Sequence, residues 1–521
     1  MYGCPGCGSM MTFSIPDQAL KCGSCGRTES IEEADRREAR TAGSSFSVDL
    51  LTCPTCGAEI RTMNTAQAAF CSYCGASVLL ESREADMEAP ETVAPFRVTR
   101  EECFEKYRKM LGKSLCADHR LKKNVTAESF RGIYVPHYIY TAAVQGETTL
   151  EGTETKGNDT YYYNTKVQLN HRFNNILHDA SKEMPDAMSE KIARVDEEAF
   201  RPFSPAYLSG FYADIPDAEE KSYEPFAKAE AVRLGLKDVM KDLEGGYHYS
   251  TGEAEKKLVK LADAQCTGHT LVPVWFMSIR SGKRLLYAIQ NGVTGEMVAD
   301  IPMDIPRFGL IALIAAIPLF FLFNMLNIVA RPEIAMIAAM LLALGAQYIV
   351  GRRQHNIRDR ETTEQASEGR DNLAARLKQR KKLARQEKGS GANLFEGIGS
   401  IGGMILLCFG LTQLVKLNNA KVVQAIALVL TAAMCGLIWW GSRAKVRTPL
   451  GCYAALLTMI AGAAVLILNP FHSEDLPVYL LTFACLGAVL WACVDMLLLH
   501  NRECSNPLPQ FESHQGGDDR A

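Results

Sequence analysis

The chain has 521 residues, a formal net charge of −3 and 47% hydrophobic residues. This length allows several domains, and the near-neutral charge excludes a chain that is basic throughout and binds polyanions by charge alone. The apolar residues are concentrated in the last 215 positions, which predicts a carboxy-terminal membrane region behind a soluble amino-terminal part.

Two copies of one cysteine pattern open the chain. Each copy holds two Cys-x-x-Cys pairs separated by fourteen residues, and the second copy follows at an offset of 49. The eight cysteines are Cys4, Cys7, Cys22, Cys25, Cys53, Cys56, Cys71 and Cys74. A glycine follows the second cysteine of every pair, where a backbone with positive φ is expected. Four thiolates carried by two tight turns suit tetrahedral zinc, so the pattern predicts two structural Cys4 zinc sites.

Disulfides, chance spacing and an iron or redox role are the alternatives to zinc. Chance would have to produce one pattern twice, and disulfides need an oxidising compartment, whereas the topology predicted below places these cysteines in the cytosol. The other nine cysteines follow no pattern, which is typical of reduced thiols. Neither ribbon has enough apolar residues to fold alone, so we expect structural zinc to contribute about 10 to 16 kcal/mol of folding energy.

The composition predicts a multi-domain protein with two small Cys4 zinc ribbons, an α+β cytosolic domain and a six-helix transmembrane bundle. The predicted segments are zinc ribbon 1 (1–26), a linker (27–51), zinc ribbon 2 (52–80), an acidic linker (81–95), the cytosolic α+β domain (96–306), transmembrane helices 1 and 2 (307–351), a basic cytosolic loop (352–393), transmembrane helices 3 to 6 (394–500) and a tail (501–521).

Capping residues, β-branched runs and apolar spacing predict both helices and strands in the cytosolic domain. Thr99 and Glu102 have the spacing of a capping box at the start of a short helix. The other predicted elements are strands over 131–144 and 160–168, a helix over 217–243, and a hairpin over 271–302 with turns at 281–282 and 291–292.

Six apolar segments are candidates to cross a membrane as helices. They are 308–330, 334–350, 398–415, 422–440, 450–468 and 478–499. Loop 352–393 carries twelve basic and six acidic residues, and Arg443, Lys445 and Arg447 make the next loop on that side basic as well. Basic loops stay in the cytosol, so the sequence predicts a multi-pass plasma-membrane protein with both termini cytoplasmic. We expect no cleaved signal peptide.

Polar residues within the predicted spans are sparse, which favours hydrogen bonds between helices over a transport pathway. They are Gln347, Gln413, Gln424 and Asp495. Gly399 and Gly403 form a Gly-x-x-x-Gly pattern that allows close helix packing and a homo-oligomer. The basic segment 370–388 can form a helix that lies on anionic lipid, and a solvated loop is the alternative.

The ribbons lack the charge that nucleic-acid binding requires, because phosphate contacts need clustered lysine and arginine. Lys21 is balanced by Asp17 in the first ribbon, and Arg61 is balanced by Glu59 in the second. No Ser-His-Asp, Cys-His or paired-carboxylate pattern can be singled out, so we expect a protein that is not an enzyme.

Four further stretches carry a resemblance to a known family. They read "PFRVTREECFEKYRKML", "FRGIYVPHYIYTA", "SPAYLSGFYAD" and "LVPVWFMSIRSGKRLLYAIQNGVTGEMVADIP". With the paired ribbons, residues 1–306 resemble the bacterial TFIIB-type zinc ribbon-containing membrane proteins. Members are often labelled helicase-like or primosomal replication proteins. Some are similar to the membrane anchor encoded beside an SPFH (flotillin-like) protein in phage-shock-type envelope-stress operons.

The resemblance implies a role in anchoring and scaffolding, and it carries over only the eight ribbon cysteines. We therefore expect a cytosol-facing adaptor that recruits partner proteins, an SPFH-type protein among them, to the membrane. A nucleic-acid-binding protein of replication and a transporter or channel are the alternatives.

Overall fold

The computed structural model describes most of the chain in separate ranges. These are residues 2–38, 46–62, 71, 73–76, 81–87, 89–156, 159–181, 195–214, 216, 220–243, 248–281, 284–325, 332–367, 420–443, 450–468 and 476–507. They fall into two compact units, the first drawn from Met1–Lys113, Lys122–Asp300 and Asn506–Ala521, and the second from Ser114–Leu121 and Ile301–Ser505.

The first unit is a mixed α/β structure dominated by strands. Its strands are β1 (Met11–Ser14), β2 (Ala19–Cys22), β3 (Thr28–Glu29), β4 (Phe46–Thr52), β5 (Glu59–Thr62), β6 (Glu81–Met87), β7 (Thr92–Val93), β8 (Arg131–Lys156), β9 (Asp159–Asp179), β10 (Arg201–Pro202), β11 (Tyr212–Ala213), β12 (His248–Ser250), β13 (Asp263–Ser281), β14 (Arg284–Asn291), β15 (Met297–Ala299) and β16 (Asn506–Pro507). Its helices are α1 (Ile31–Arg37), α2 (Arg100–Lys113), part of α3 (His119–Asn124), α4 (Glu224–Asp242) and α5 (Gly252–Val259).

Thirteen of the described strands form one sheet, and β1, β2 and β3 form a separate small one. The main path runs β10-β7-β13-β8-β11-β5-β4-β6, with β9 and β12 on β8 and with β14, β15 and β16 continuing from β13. Strand β13 is buried without interruption from Thr270 to Ser278. A strand can be apolar on both sides only when both faces of its sheet are covered. The sheet therefore has two cores, one on each face.

The core on one face is aromatic. The ring of Phe96 stacks on Phe211 with centroids 4.5 Å apart, and it lies 4.9 Å from Trp275 and 5.2 Å from Tyr134. The Trp275 indole N–H donates to the carbonyl of Val98 at 2.8 Å, so its one polar atom is satisfied. Phe96 is absent from the apolar runs that predict strands, and its role follows only from this packing.

Gly132 leaves room for that aromatic cluster. A Cβ placed on Gly132 would lie 2.4 Å from a ring atom of Phe211 and 3.2 Å from Phe96. We expect Gly132→Ala to lower the free energy of unfolding by about 1 to 3 kcal/mol through overpacking. Urea unfolding of the full chain in detergent, followed by tryptophan fluorescence, measures the change. The matched control is Gly112→Ala on α2, where a Cβ meets nothing within 4 Å; equal effects would contradict the packing argument.

Several predicted elements are confirmed, with longer or shorter bounds. The capping box at α2 is present, since Thr99 N–H donates to Glu102 at 2.8 Å and Glu102 N–H donates to the Thr99 hydroxyl at 3.3 Å. The predicted strands 131–144 and 160–168 are parts of β8 and β9. The hairpin turn after β14 is closed by Asn291, whose side-chain oxygen accepts from the N–H groups of Val293 and Thr294.

The helix predicted over 217–243 begins later. Residues Glu220–Tyr223 form a 3-10 turn, and α4 starts at Glu224 with a proline in its first turn. Proline fits that position because its missing N–H would have no partner there.

The two segments predicted as linkers contain regular structure. Residues 27–51 include β3, α1 and most of β4, while residues 81–95 include β6 and β7. Strand β4 pairs with β5 on one side and β6 on the other, so the acidic stretch is a strand of the main sheet. Acidic composition favours a linker, but pairing with a neighbouring strand overrides that preference.

The second unit is helical. Its helices are α6 (Ile305–Met325), α7 (Pro332–Ser367), α8 (Ala420–Arg443), α9 (Leu450–Leu468) and α10 (Leu476–Glu503). Among the described residues, three helical segments are long and apolar enough to cross a membrane, namely Pro332–Arg358, Leu450–Leu468 and Leu476–Glu503. Ile305–Pro318 and Gln424–Trp440 are shorter apolar helices. The third predicted span, 398–415, and the lipid segment 370–388 lie outside the described residues.

Helix α7 runs past the predicted end of its span at residue 350 and into the predicted basic loop. Beyond the apolar segment, Arg353 is paired with Glu503 of α10. The side chain of Gln347 is fully buried; it donates to the carbonyl of Ala488 at 3.3 Å and accepts from the Cys452 thiol at 3.1 Å. Interhelical hydrogen bonding, the role predicted for such polar residues, is thus confirmed at Gln347.

Candidate metal centres

All four Cys-x-x-Cys turns have the same backbone geometry. The glycine after each pair donates its N–H to the carbonyl of the first cysteine, at distances of 2.8 to 3.1 Å. The four glycines have the predicted positive φ: Gly8 76°, Gly26 75°, Gly57 80° and Gly75 68°. A residue with a Cβ is strained in that conformation, which is why glycine occupies it in every turn.

The turns bring the eight predicted cysteines into two groups of four. In the first centre the sulfur of Cys7 lies 3.4 Å from that of Cys22, and the sulfur of Cys4 lies 3.6 Å from that of Cys25. In the second centre Cys53 lies 3.8 Å from Cys74, and Cys56 lies 3.8 Å from Cys71. All ligand atoms within each group lie within 4.8 Å of one another, so each group can hold a metal ion.

The sulfur–sulfur distances agree with those expected around a tetrahedral zinc ion. A tetrahedron with Zn–S bonds of about 2.3 Å has sulfur atoms about 3.8 Å apart. The second centre matches this spacing and the first is slightly tighter, whereas a disulfide would need about 2.05 Å. Because four protein sulfurs complete a tetrahedron, neither centre keeps a position open for substrate. The donor set fits a structural metal.

The first centre lies at the surface of the first unit. Cys4 and Cys22 are buried, but Cys7 and Cys25 are exposed. Hydrogen bonds from the Ser9 side chain and backbone lower the pKa of Cys7 to about 6. The backbone N–H of Arg27 lowers the pKa of Cys25, but hydrogen bonds with Cys4 and Cys22 outweigh it and raise that pKa to about 11. The thiols share protons that a bound metal would displace.

The small sheet of β1, β2 and β3, next to the first centre, packs against other residues of the first unit. The N–H of Phe13 donates to the carbonyl of Ser209 at 2.9 Å, and its ring lies 5.4 Å from Tyr207. Asp35 of α1 accepts from the hydroxyls of Tyr2 at 2.6 Å and Ser204 at 3.0 Å. Strand β1 and helix α1 are therefore packed against the segment from Ser204 to Ser209, which precedes β11.

The second centre lies in the buried core that covers one face of the main sheet. Cys53, Cys56, Cys71 and Cys74 are between 0% and 1% exposed and belong to one buried cluster. Their apolar neighbours in that cluster are Leu51, Ala58, Tyr73, Ile133, Val135, Tyr212, Val274, Phe276, Leu285, Tyr287 and Ile289. The hydrogen bond with Cys53 raises the pKa of Cys56, and the reciprocal bond lowers that of Cys53. These cysteines form the core on the second face of the sheet.

The short strand β11 explains how the second ribbon enters the sheet. Tyr212 pairs with Thr62 of β5 on one side and with Ile133 of β8 on the other. Two residues from a distant part of the chain therefore join the cysteine hairpin to the central strand. The sequence alone carries no signal for a strand this short.

A buried carboxylate holds the last cysteine turn. Tyr73, between Cys71 and Cys74, donates its hydroxyl to Asp214 at 2.9 Å, and the Ser181 hydroxyl donates to the same carboxylate oxygen. The Tyr287 hydroxyl donates to the carbonyl of Tyr73 at 3.2 Å. Asp214 is 1% exposed, so these bonds form in a dry environment. Sequence reasoning missed Asp214 because it lies 141 residues from Tyr73.

A third group of possible metal ligands lies in the second unit and was not predicted. The Nδ1 atom of His119 lies 3.1 Å from Asp304 and 3.8 Å from Asp118. Both carboxylates have other partners, since Asp118 pairs with Arg120 and Asp304 accepts from the N–H of Arg307. The hydrogen bond with His119 lowers the pKa of Asp304. These contacts describe a polar network of partly buried carboxylates beside an exposed histidine.

Comparison with known proteins finds a relative but no family. No protein-family model matches the chain. A protein of Bacillus subtilis (strain 168), described as "Uncharacterized protein YdjG", is 26% identical over 311 residues, which are 58% of this chain and 90% of the relative. No solved structure matches. The relative's description states no activity.

Proposed function

We propose that the protein is an integral membrane adaptor whose zinc-stabilised domain faces the cytosol and recruits partner proteins to the membrane. The closed form of both metal centres is the observation that carries this proposal. Four sulfurs surround each centre, one centre lies in the core, and a four-coordinate zinc of this kind stabilises a fold and does not activate water. The bound metals would thus stabilise the fold, and partner binding would take place on the surface of the protein.

Six membrane spans with both termini in the cytosol are part of the proposal. Its support is the three long apolar helices together with the shorter apolar helices at the first and fourth predicted positions. The charge of +6 on loop 352–393 supports the orientation. With this orientation the first unit lies on the cytosolic side of the membrane.

We propose that exposed tyrosines near the start of β9, which alternate between the two faces of the strand, contact the partner protein. Tyr161, Tyr162 and Tyr163 are 47%, 79% and 38% exposed. Among the described strands, β9 pairs only with β8, so its other edge has no described partner strand. Tyrosine is enriched among residues that dominate binding energy in protein interfaces. We call these three residues the tyrosine patch.

The resemblance to TFIIB-type zinc ribbon-containing membrane proteins supports an SPFH-type partner. Nucleic-acid binding by the ribbons is less well supported, because the first ribbon's Lys21 is held in an ion pair with Asp17 at 2.9 Å. Transport is less well supported too, because the buried Gln347 is occupied by hydrogen bonds between helices.

Affinity capture of the tagged full chain from host membranes in mild detergent tests the proposal. We expect an SPFH-type protein to be enriched, and replacement of the tyrosine patch by serines to reduce its recovery at least about tenfold, since each hot-spot residue contributes about 2 kcal/mol or more. Lys166→Ser, on the same strand, is the matched control and should leave recovery unchanged. The adaptor proposal fails if the SPFH-type protein is missing, or if it is captured equally by the variant.

A further inference from the structure

The two metal centres differ in how their sulfurs meet solvent. In the first centre one cysteine of each pair is exposed, Cys7 and Cys25, and each lies beside a buried partner, Cys22 at 3.4 Å and Cys4 at 3.6 Å. In the second centre all four cysteines are buried. An oxidant in solution can therefore approach exposed cysteines in the first centre, whereas the four cysteines of the second centre are shielded.

We propose that the first centre is an oxidation site that releases its metal when peroxide reaches Cys7 or Cys25, while the second centre keeps its metal. This inference rests on the proposed zinc binding. It adds a modification that the adaptor function does not require.

The chemistry needs two thiolates and one peroxide for each pair. The exposed Cys7 thiolate attacks one peroxide oxygen, the O–O bond breaks, and the products are a sulfenic acid and hydroxide. The neighbouring Cys22 thiolate then attacks the sulfenic sulfur and displaces a second hydroxide, which leaves a disulfide. Two protons from solvent convert the hydroxides to water. The two sulfurs lose two electrons and peroxide gains them.

Loss of these thiolates removes the metal. Oxidation of Cys7 and Cys22 takes away two of four ligands, and two sulfurs in a disulfide no longer offer the charge that zinc needs. The pair Cys4 and Cys25 can then react in the same way. The zinc leaves as a free ion.

Loss of zinc from the first centre should leave the rest of the first unit folded. The aromatic core around Phe96 and the buried second centre contain no ligand of the first centre. Only the attachments of the small sheet depend on it, such as the bond from Phe13 to Ser209 and the bond from Gln18 to the carbonyl of Phe96 at 2.8 Å. Oxidation would therefore loosen ribbon 1 in a chain that stays folded.

The test uses the zinc-loaded full chain in detergent at neutral pH, treated with hydrogen peroxide. A chromogenic chelator follows zinc release, and mass spectrometry maps the disulfides. Two zinc ions per chain are expected before treatment, and a lower content would refute zinc binding itself. We expect one ion to be released at least about tenfold faster than the other, with disulfides confined to the first centre's four cysteines.

A double variant isolates the exposed sulfurs. Cys7→His with Cys25→His keeps four ligands of a kind that zinc accepts but removes both exposed thiolates. Its first zinc should be released at least about tenfold more slowly than in the unmodified chain. Equal release from both centres, disulfides at the second centre, or unchanged release from the double variant would each overturn the proposal. If the variant loses zinc, the disulfide map of the unmodified chain decides the question alone.

Discussion

Cys56→Ser should unfold the main sheet of the first unit, which is built around the second centre. Cys56 is 1% exposed, and the second centre contributes four sulfurs to a core that also contains Phe276 and Tyr287. Structural zinc contributes about 10 to 16 kcal/mol, which is as large as the whole stability of an ordinary domain, about 5 to 15 kcal/mol. A hydroxyl does not replace a thiolate ligand, and it leaves a polar group inside an apolar cluster.

Limited proteolysis and tryptophan fluorescence of the full chain in detergent measure this loss. Zinc analysis should find about one ion per chain fewer than in the unmodified protein, as expected when one of two Cys4 sites is broken. The control is Cys7→Ser, which breaks the exposed first centre and leaves the second core in place. Equal protease resistance in Cys56→Ser and the unmodified chain would contradict a structural role for the second centre.

Asp214→Ala should lower the free energy of unfolding by the second largest amount, after Cys56→Ser. The carboxylate accepts hydrogen bonds from Tyr73 and Ser181 at a site where almost no solvent reaches. Removing it leaves both hydroxyls without that acceptor, and we expect a loss of about 3 to 5 kcal/mol. Zinc should also leave the second centre faster, because Tyr73 lies within the turn between Cys71 and Cys74.

Urea unfolding and the rate of zinc transfer to a chelator measure these two effects. Asp17→Ala is the matched control, because its carboxylate makes an exposed ion pair with Lys21, and exposed ion pairs contribute little to the free energy of unfolding. Tyr73→Phe removes the hydroxyl that donates to Asp214 and keeps the carboxylate, so it separates the contribution of Tyr73 from that of Ser181. If Asp214→Ala behaves like Asp17→Ala, the carboxylate does not position the cysteine turn.

The cysteine turns could be predicted because everything they need is local. Cys53, Cys56 and Gly57 lie within five residues, and the bond from the Gly57 N–H to the Cys53 carbonyl closes the turn without any other part of the chain. The capping box at Thr99 and Glu102 is local for the same reason. Apolar length likewise predicts helices such as Leu450–Leu468, since a helix satisfies its own backbone.

Contacts between residues far apart in the sequence determine the remaining features of the fold and of the metal centres. The sequence by itself determined which sulfurs form each centre, where the described apolar helices lie and that the chain turns after β14. Only the tertiary structure decided that the acidic stretch 81–87 is a strand, that Asp214 holds Tyr73, and that one centre is fully buried while two cysteines of its repeat are exposed. Two copies of one local pattern differ in burial because burial depends on what packs around them, and the packing partners, such as Tyr212 on β11, lie far away in the chain.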